Sequence, residues 1–321
     1  MNPFRNEPMC GILGGMFSKL TAILSVAVTL TGWIGIAQSS PIIAPNASFE
    51  SPATPFVSIN IDFWQKALKG ASFAGTDEGW GQLTGIFKNT PVTSSDYIHN
   101  CDGNQALWLF AVPEVALFQD YNSVDWNDPA PTHAFDSRFE VGKSYQLTVG
   151  VIGGGGAMLE GVSLELSLYY RDAASNKVAV AATAITNNLT NFPDKTNFVA
   201  FRVDVPTVRT GDAWAGQNIG IQFLSTVTTN LQGGYWDLDN IRLTSQVEPV
   251  LRNSVQTNGQ FSFTLLSEPG SQFDILTTTN VALATSNWTS VVTLTNDTGT
   301  MSFTNPVINP GPRFYRALQR P

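Results

Sequence analysis

The residues of this chain best suited to chemistry are aromatic and acidic. Trp126 stands in Asp125-Trp126-Asn127-Asp128, a flat ring flanked by hydroxyl acceptors. Trp64 and Trp214 lie in other polar stretches that carry Gly or Asp. An exposed indole beside such groups suits a sugar: the ring stacks on its C–H face while the polar neighbours bond its hydroxyls. The competing reading is that each tryptophan folds back as the plug of its own loop. Trp108 and Trp236 fall inside strand patterns and are expected in the core, and Trp80 after Gly79 is a further core candidate.

Sequence motifs for catalysis are missing. Gly153 to Gly156 is not followed by Gly-Lys-Ser/Thr, so it is no phosphate loop, and it reads as a flexible turn. The chain has two histidines, His99 and His133, and no His-Glu-x-x-His. Cys101 has His99 two residues away, which would share its face only in a regular strand, and it reads as a small, semi-buried residue rather than a nucleophile. Paired carboxylates for glycoside hydrolysis are not marked by any spacing. The expectation is a non-catalytic protein. A net charge of −8 argues against a nucleic-acid partner.

The elements that must position these residues are strands. Gly233-Gly234 open a stretch in which Trp236, Leu238, Ile241 and Leu243 are the apolar positions. That is strand alternation with one slip, and the slip falls on Asp239-Asn240. Two short polar residues at such a break predict a bulge or a polar site that needs the kink. Val162 to Tyr170 alternates apolar and polar most clearly, and Gln105–Phe110, Ser144–Gly150, Val178–Ile185, Phe198–Val205 and Ile219–Phe223 follow the same style. Strands recur about every ten residues without a long amphipathic helix, which predicts an all-β chain: a jelly-roll β-sandwich followed by a smaller β-sandwich. Residues 38–248 hold 21 Asp and Glu against 11 Lys and Arg, whereas 249–321 hold 3 against 4, placing a boundary near 249.

Four motifs carry a resemblance. They are Asn46-Ala47-Ser48-Phe49-Glu50-Ser51-Pro52, Asp102-Gly103-Asn104-Gln105-Ala106-Leu107, Phe139-Glu140-Val141-Gly142-Lys143-Ser144-Tyr145 and Trp236-Asp237-Leu238-Asp239-Asn240-Ile241-Arg242-Leu243. In this order they resemble the galactose-binding-like jelly roll of secreted bacterial carbohydrate-binding modules, over 46–246. Residues 250–321, with Asn287-Trp288-Thr289 and Arg313-Phe314-Tyr315-Arg316, resemble small C-terminal immunoglobulin- or fibronectin-like sandwich modules. The first resemblance implies a structural Ca²⁺ joining first and last strands, with Glu50 and Asp239 as ligands. The alternative is that both carboxylates cap turns and bond backbone amides.

Leu20 to Ala37 is uncharged and apolar, follows Lys19, and ends in Gly35-Ile36-Ala37, a small-x-small site before Gln38. Residues 1–37 are thus expected to be a cleaved signal peptide, an uncleaved membrane anchor being the rival. The functional expectation is a secreted or cell-surface protein that binds a glycan through Trp126, Asp125, Asp128, Trp64 and Trp214. The alternative is a structural or adhesive protein that contacts other proteins.

Overall fold

The computed structural model describes residues 39–125, 128–307 and 311–320. The expected signal segment, 1–37, lies outside them. In chain order the strands are β1 (Ser40–Ile42), β2 (Val57–Ser58), β3 (Gln65–Lys66), β4 (Thr84–Lys88), β5 (Gln105–Phe110), β6 (Ala116–Gln119), β7 (Val124–Asp125), β8 (Asp128–Pro131), β9 (Lys143–Gly155), β10 (Ser163–Arg171), β11 (Lys177–Thr186), β12 (Val199–Val205), β13 (Gly220–Ser225) and β14 (Tyr235–Val247). One short helix, α1 (Asp77–Gly81), is capped by Thr76, whose hydroxyl accepts the Gly79 N–H. The tail adds β15 (Val250–Thr257), β16 (Gln260–Leu266), β17 (Ser271–Thr278), β18 (Thr289–Asn296), β19 (Thr300–Pro306) and β20 (Phe314–Gln319).

The pairing is antiparallel throughout the described residues, and the fold is an all-β sandwich. A seven-stranded sheet runs β12-β9-β14-β5-β4-β2, with β1 also paired to β14. It faces a five-stranded sheet, β11-β10-β13-β6-β3. Strand alternation sends Leu107, Leu109, Leu147, Val149, Val151, Trp236 and Leu238 from the first sheet, and Leu117, Leu164, Leu166, Leu168, Ile221 and Phe223 from the second, into one buried core. Full burial of each such aliphatic side chain is worth roughly 1.5–3 kcal/mol, so this interlayer holds the scaffold. The tail strands form two three-stranded sheets, β15-β16-β19 and β18-β17-β20, around a separate core of Phe261, Phe263, Leu265, Phe273, Ile275, Phe303 and Tyr315.

The slip in the closing strand is a real irregularity. The β14–β9 register shifts between Asp239 and Arg242, and Asn240 takes a left-handed backbone with φ 56°. Asparagine accepts that region better than most residues. The extra residue lets Ile241 and Leu243 return to the core side after Trp236 and Leu238. The glycine run differs from its expectation. Gly153 to Gly155 belong to β9 instead of a turn. A Cβ at Gly153 would stand 2.8 Å from Asn187 Oδ1 and from the Phe192 ring, so close side-chain approach explains that residue.

Candidate active site

Alternation that fills the core also fixes what the seven-stranded sheet shows on its other face. There β14 presents Tyr235 and Asp237, β5 presents Trp108 and Phe110, β4 presents Phe87 and β2 presents Val57. These six residues line a cavity of about 280 Å³. Asp237 is paired across the ladder with Trp108 on one side and Ile152 on the other; Tyr235 is paired with Phe110 and Gly155. The Phe110 and Tyr235 rings lie 5.8 Å apart at 54°. No cation is among the six lining residues.

Asp237 is the anomaly of this cavity. Its Oδ1 is shut off from solvent and has no hydrogen-bond partner among the described residues. Burial pushes its carboxyl up to about 8, so at neutral pH the neutral acid predominates. An unsatisfied buried polar group costs on the order of 1–3 kcal/mol, so selection for stability alone would remove it. A neutral carboxylic acid facing an apolar cavity is a proton donor. Tyr235 is also raised, by burial first and then by the neighbouring charges of Asp237 and Asp96.

The expected metal pair holds a segment beside this cavity. Glu50 Oε1 accepts the N–H groups of Asn104 and Gln105, each at 2.7 Å. Asp239 Oδ2 accepts the Asp102 N–H at 2.7 Å. Asn240 Nδ2 donates to the Asn100 carbonyl at 2.8 Å, and Arg242 pairs with Asp102 at 2.6 Å. Asn100 exchanges two hydrogen bonds with the Phe198 backbone, at 3.0 and 2.7 Å. The bulge therefore turns successive polar residues toward residues 100–102. Ile98 from this segment packs with Ala106, Ile152 and Phe198, with Phe87 and Cys101 against them. Asp239 is fully buried, its Oδ1 lacks a partner, and burial pushes it up to about 7. Among the described residues no group of three or more His, Cys, Asp or Glu is placed to hold a metal. The Cys101 thiol donates to the Gln105 carbonyl at 3.2 Å, and burial, then the Asp239 charge, pushes it up, so it is a poor nucleophile.

Of the tryptophans expected to bind glycan, Trp64 and Trp214 are not among the residues that line the cavity. Trp64 is 2% exposed. Its ring lies 5.5 Å from Phe49 and 5.3 Å from Phe223, and its Nε1 donates to the Asn46 carbonyl at 3.1 Å, so it is core and offers no face to a sugar. Trp214 is half-buried against the main core. Trp126 lies outside the described residues. Asp125 ends β7 and Asp128 opens β8, which pair only with each other. Trp108, expected in the core, lines the cavity instead, whereas Trp236 is buried as expected. Asp237 drew no role from the sequence. Its one signal was a carboxylate in the outward phase of a strand beside aromatic neighbours.

A family model described as HpiC1-like, HpiC1 cyclase, matches residues 40–244. The chain belongs to the HpiC1-like family. Its span runs from β1 through Thr244 of β14, and so includes every residue that lines the cavity. This overturns the expectation of a non-catalytic, glycan-binding protein: the family is one of cyclases. A cyclase from Fischerella sp. TAU is 20% identical, over 66% of this chain and 100% of that one, with a TM-score of 0.45. The Stig cyclase Fisc from Fischerella sp. TAU, in complex with (3Z)-3-(1-methyl-2-pyrrolidinylidene)-3H-indole, is 22% identical over 65% of this chain and 98% of that one, with a TM-score of 0.44. A xylan-binding module is 10% identical over 58% of this HpiC1-like chain and 94% of that one, with a TM-score of 0.30. A search of curated proteins gave no significant match.

Proposed function

We propose that this chain is a cyclase that closes a ring in an apolar, unsaturated small molecule, with Asp237 as the proton donor. The observation that carries the reading is the buried, unpartnered Oδ1 of Asp237 in a cavity otherwise lined by Val57 and aromatic rings. Neutral Asp237 gives its proton to a carbon–carbon double bond, forming a C–H bond and a carbocation and leaving a carboxylate. A second π-bond of the same molecule attacks the cation, and the ring-closing carbon–carbon bond forms. The ring-closed cation returns a proton to the Asp237 carboxylate, restoring a double bond and the neutral acid. The product is an isomer of the substrate, and no co-reactant is needed.

The aromatic walls suit that sequence. The faces of Trp108, Phe110 and Tyr235 attract a developing cation, each by about 0.5–1 kcal/mol or more once water is excluded. A substrate that fills this apolar lining displaces the water that would quench the cation. A positioned acid supplies roughly 10²–10⁴ in rate. The test is isomerisation of a panel of alkenyl-substituted heteroaromatic compounds, followed by chromatography because product and substrate share one mass. Asp237→Asn keeps the shape and removes the acid, and turnover should fall by about that factor. Undiminished turnover in this variant overturns the assignment.

We also propose that Glu50 and Asp239 hold a structural Ca²⁺ between the opening and closing strands of the sandwich. The orphaned, buried Oδ1 of Asp239 supports this, since a hard cation takes carboxylate and carbonyl oxygens where chain segments meet. When bound, the ion would supply charge compensation to that carboxylate. The scaffold over 46–246 is read as galactose-binding-like, and 250–321 as a separate small module.

A further inference from the structure

We propose that Gly85 and Gly155 are specificity-determining residues, which part the two largest aromatic side chains of the cavity and so set the size of ring system that reaches Asp237. The inference rests on the reading of this cavity as the active site. On the sheet, Trp108 stands between Asp237 of β14 and Gly85 of β4, directly paired with both. A Cβ on Gly85 would lie 2.3 Å from Cη2 and 2.4 Å from Cζ2 of Trp108. The indole therefore lies flat over the glycine, turned away from Asp237. Its Nε1 donates to the Gln82 carbonyl at 3.3 Å, which holds it there.

Tyr235 repeats the arrangement in the other direction. It stands between Phe110 of β5 and Gly155 of β9. A Cβ on Gly155 would lie 2.4 Å from Cε2 and 2.6 Å from Cδ2 of the Tyr235 ring. That ring lies over the glycine, turned toward β9. Two aromatic residues on adjacent strands thus lean apart, each into the space a side chain would have filled. The gap between them is the cavity, and Asp237 stands within it. Glycine in a strand otherwise weakens the sheet, so close approach of another group is the physical reason to keep one there.

Alanine at either position meets ring atoms well inside contact distance, and the ring is what can move. It must swing back over the gap. A backbone oxygen is also close, Ser58 O at 2.5 Å from the Gly85 Cβ and Tyr235 O at 2.7 Å from the Gly155 Cβ. Strand spacing therefore has to open slightly as well. The consequence is a narrower cavity with its acid still in place: fused two-ring compounds are rejected while single-ring compounds still enter.

The experiment measures binding, not turnover, on the whole chain, with indole and styrene as probes observed by saturation-transfer NMR and titration. Wild type binds both. Gly155→Ala should weaken indole binding at least tenfold and leave styrene within twofold, with the melting transition retained. Adding Tyr235→Leu to Gly155→Ala removes the displaced ring and should restore indole binding. If Gly155→Ala does not fold, the double variant should recover folding; failure to do so overturns the proposal, because the clash then lies with the backbone and not the ring. Equal weakening of both probes, or of neither, in a folded Gly155→Ala also overturns it while the active-site reading stands. If wild type binds neither probe, the active-site reading fails and the proposal with it.

Discussion

Asp237→Asn should make the protein more stable at neutral pH while removing its turnover. A carboxyl raised by burial from 3.8 to about 8 keeps its proton in the folded chain. The unfolded chain releases that proton from about pH 4 upward, so it binds fewer protons than the folded state over the whole interval. Stability therefore falls as pH rises from about 4 to about 8 and levels off beyond, which is opposite in sign to a salt-bridged aspartate. The difference between 3.8 and about 8 corresponds to roughly 5–6 kcal/mol. Asp237 is half-buried in a cavity that opens to solvent, and water entry reduces this to on the order of 2–3 kcal/mol. For a unit of this size that is a rise in Tm of roughly 5–10 °C above pH 8 and almost none at pH 4. Melting curves of wild type and Asp237→Asn at pH 4, 6 and 8, in chelating buffer, measure the difference directly. Asp239, raised to about 7, contributes a slope of the same sign in both proteins and cancels in the comparison. A variant less stable than wild type at pH 8 means that Asp237 is ionised and held by a partner, and a difference independent of pH means that its pKa is not raised by folding; either way the proton-donor reading falls.

Other outcomes follow from the same geometry. If Glu50 and Asp239 hold Ca²⁺, saturating calcium at a hundredfold over its Kd adds about 2.7 kcal/mol, and Asp239→Asn should erase the chelator-sensitive part of the Tm; identical wild-type curves in calcium and in chelator leave the two residues as amide acceptors only. Trp64→Ala should cost about 3–5 kcal/mol of stability and leave the indole and styrene affinities of the surviving folded protein unchanged. Mass spectrometry of exported protein should find its first residue within a few positions of Gln38, and a mature species that still carries Leu20 refutes export with cleavage.

How much of this was legible in the sequence depends on which side of a sheet a residue serves. Core strands announce themselves because burial selects one chemistry at every second position. Leu164, Leu166 and Leu168 alternate with Ser163, Glu165 and Ser167, and β10 forms where that pattern stands. The break at Asp239-Asn240 was equally visible, since a polar pair cannot occupy a core phase without a bulge to absorb it. Glu50 and Asp239, expected from the resemblance as a calcium pair, both bond backbone amides of residues 102–105. Trp64 misled because its neighbours are polar. Local composition says nothing about Phe49 and Phe223, which enclose it from distant parts of the chain.

The active site was hidden by the same alternation that revealed the fold. Trp108 and Phe110 sit among Leu107 and Leu109, so β5 reads as apolar on both faces, and such a strand is normally buried on both. Nothing in six consecutive residues tells which aromatic ring meets protein and which meets a ligand. That distinction needs the partner strands: Gly85 opposite Trp108 and Gly155 opposite Tyr235, the latter within the Gly153–Gly156 run, are separated by about seventy positions, and only the ladder brings them to the two sides of one carboxyl. Asp237 itself lies two residues from Asp239 on one strand, yet the two do different work. Both stand in the phase opposite the core residues Trp236 and Leu238, and each has a buried Oδ1 with no partner; Asp239 meets the Asp102 amide through Oδ2, whereas Asp237 lines the cavity. A stable fold has no use for such an oxygen. The place of Asp237 in a cavity lined by Trp108, Phe110, Tyr235, Phe87 and Val57 is the physical reason to place the chemistry there.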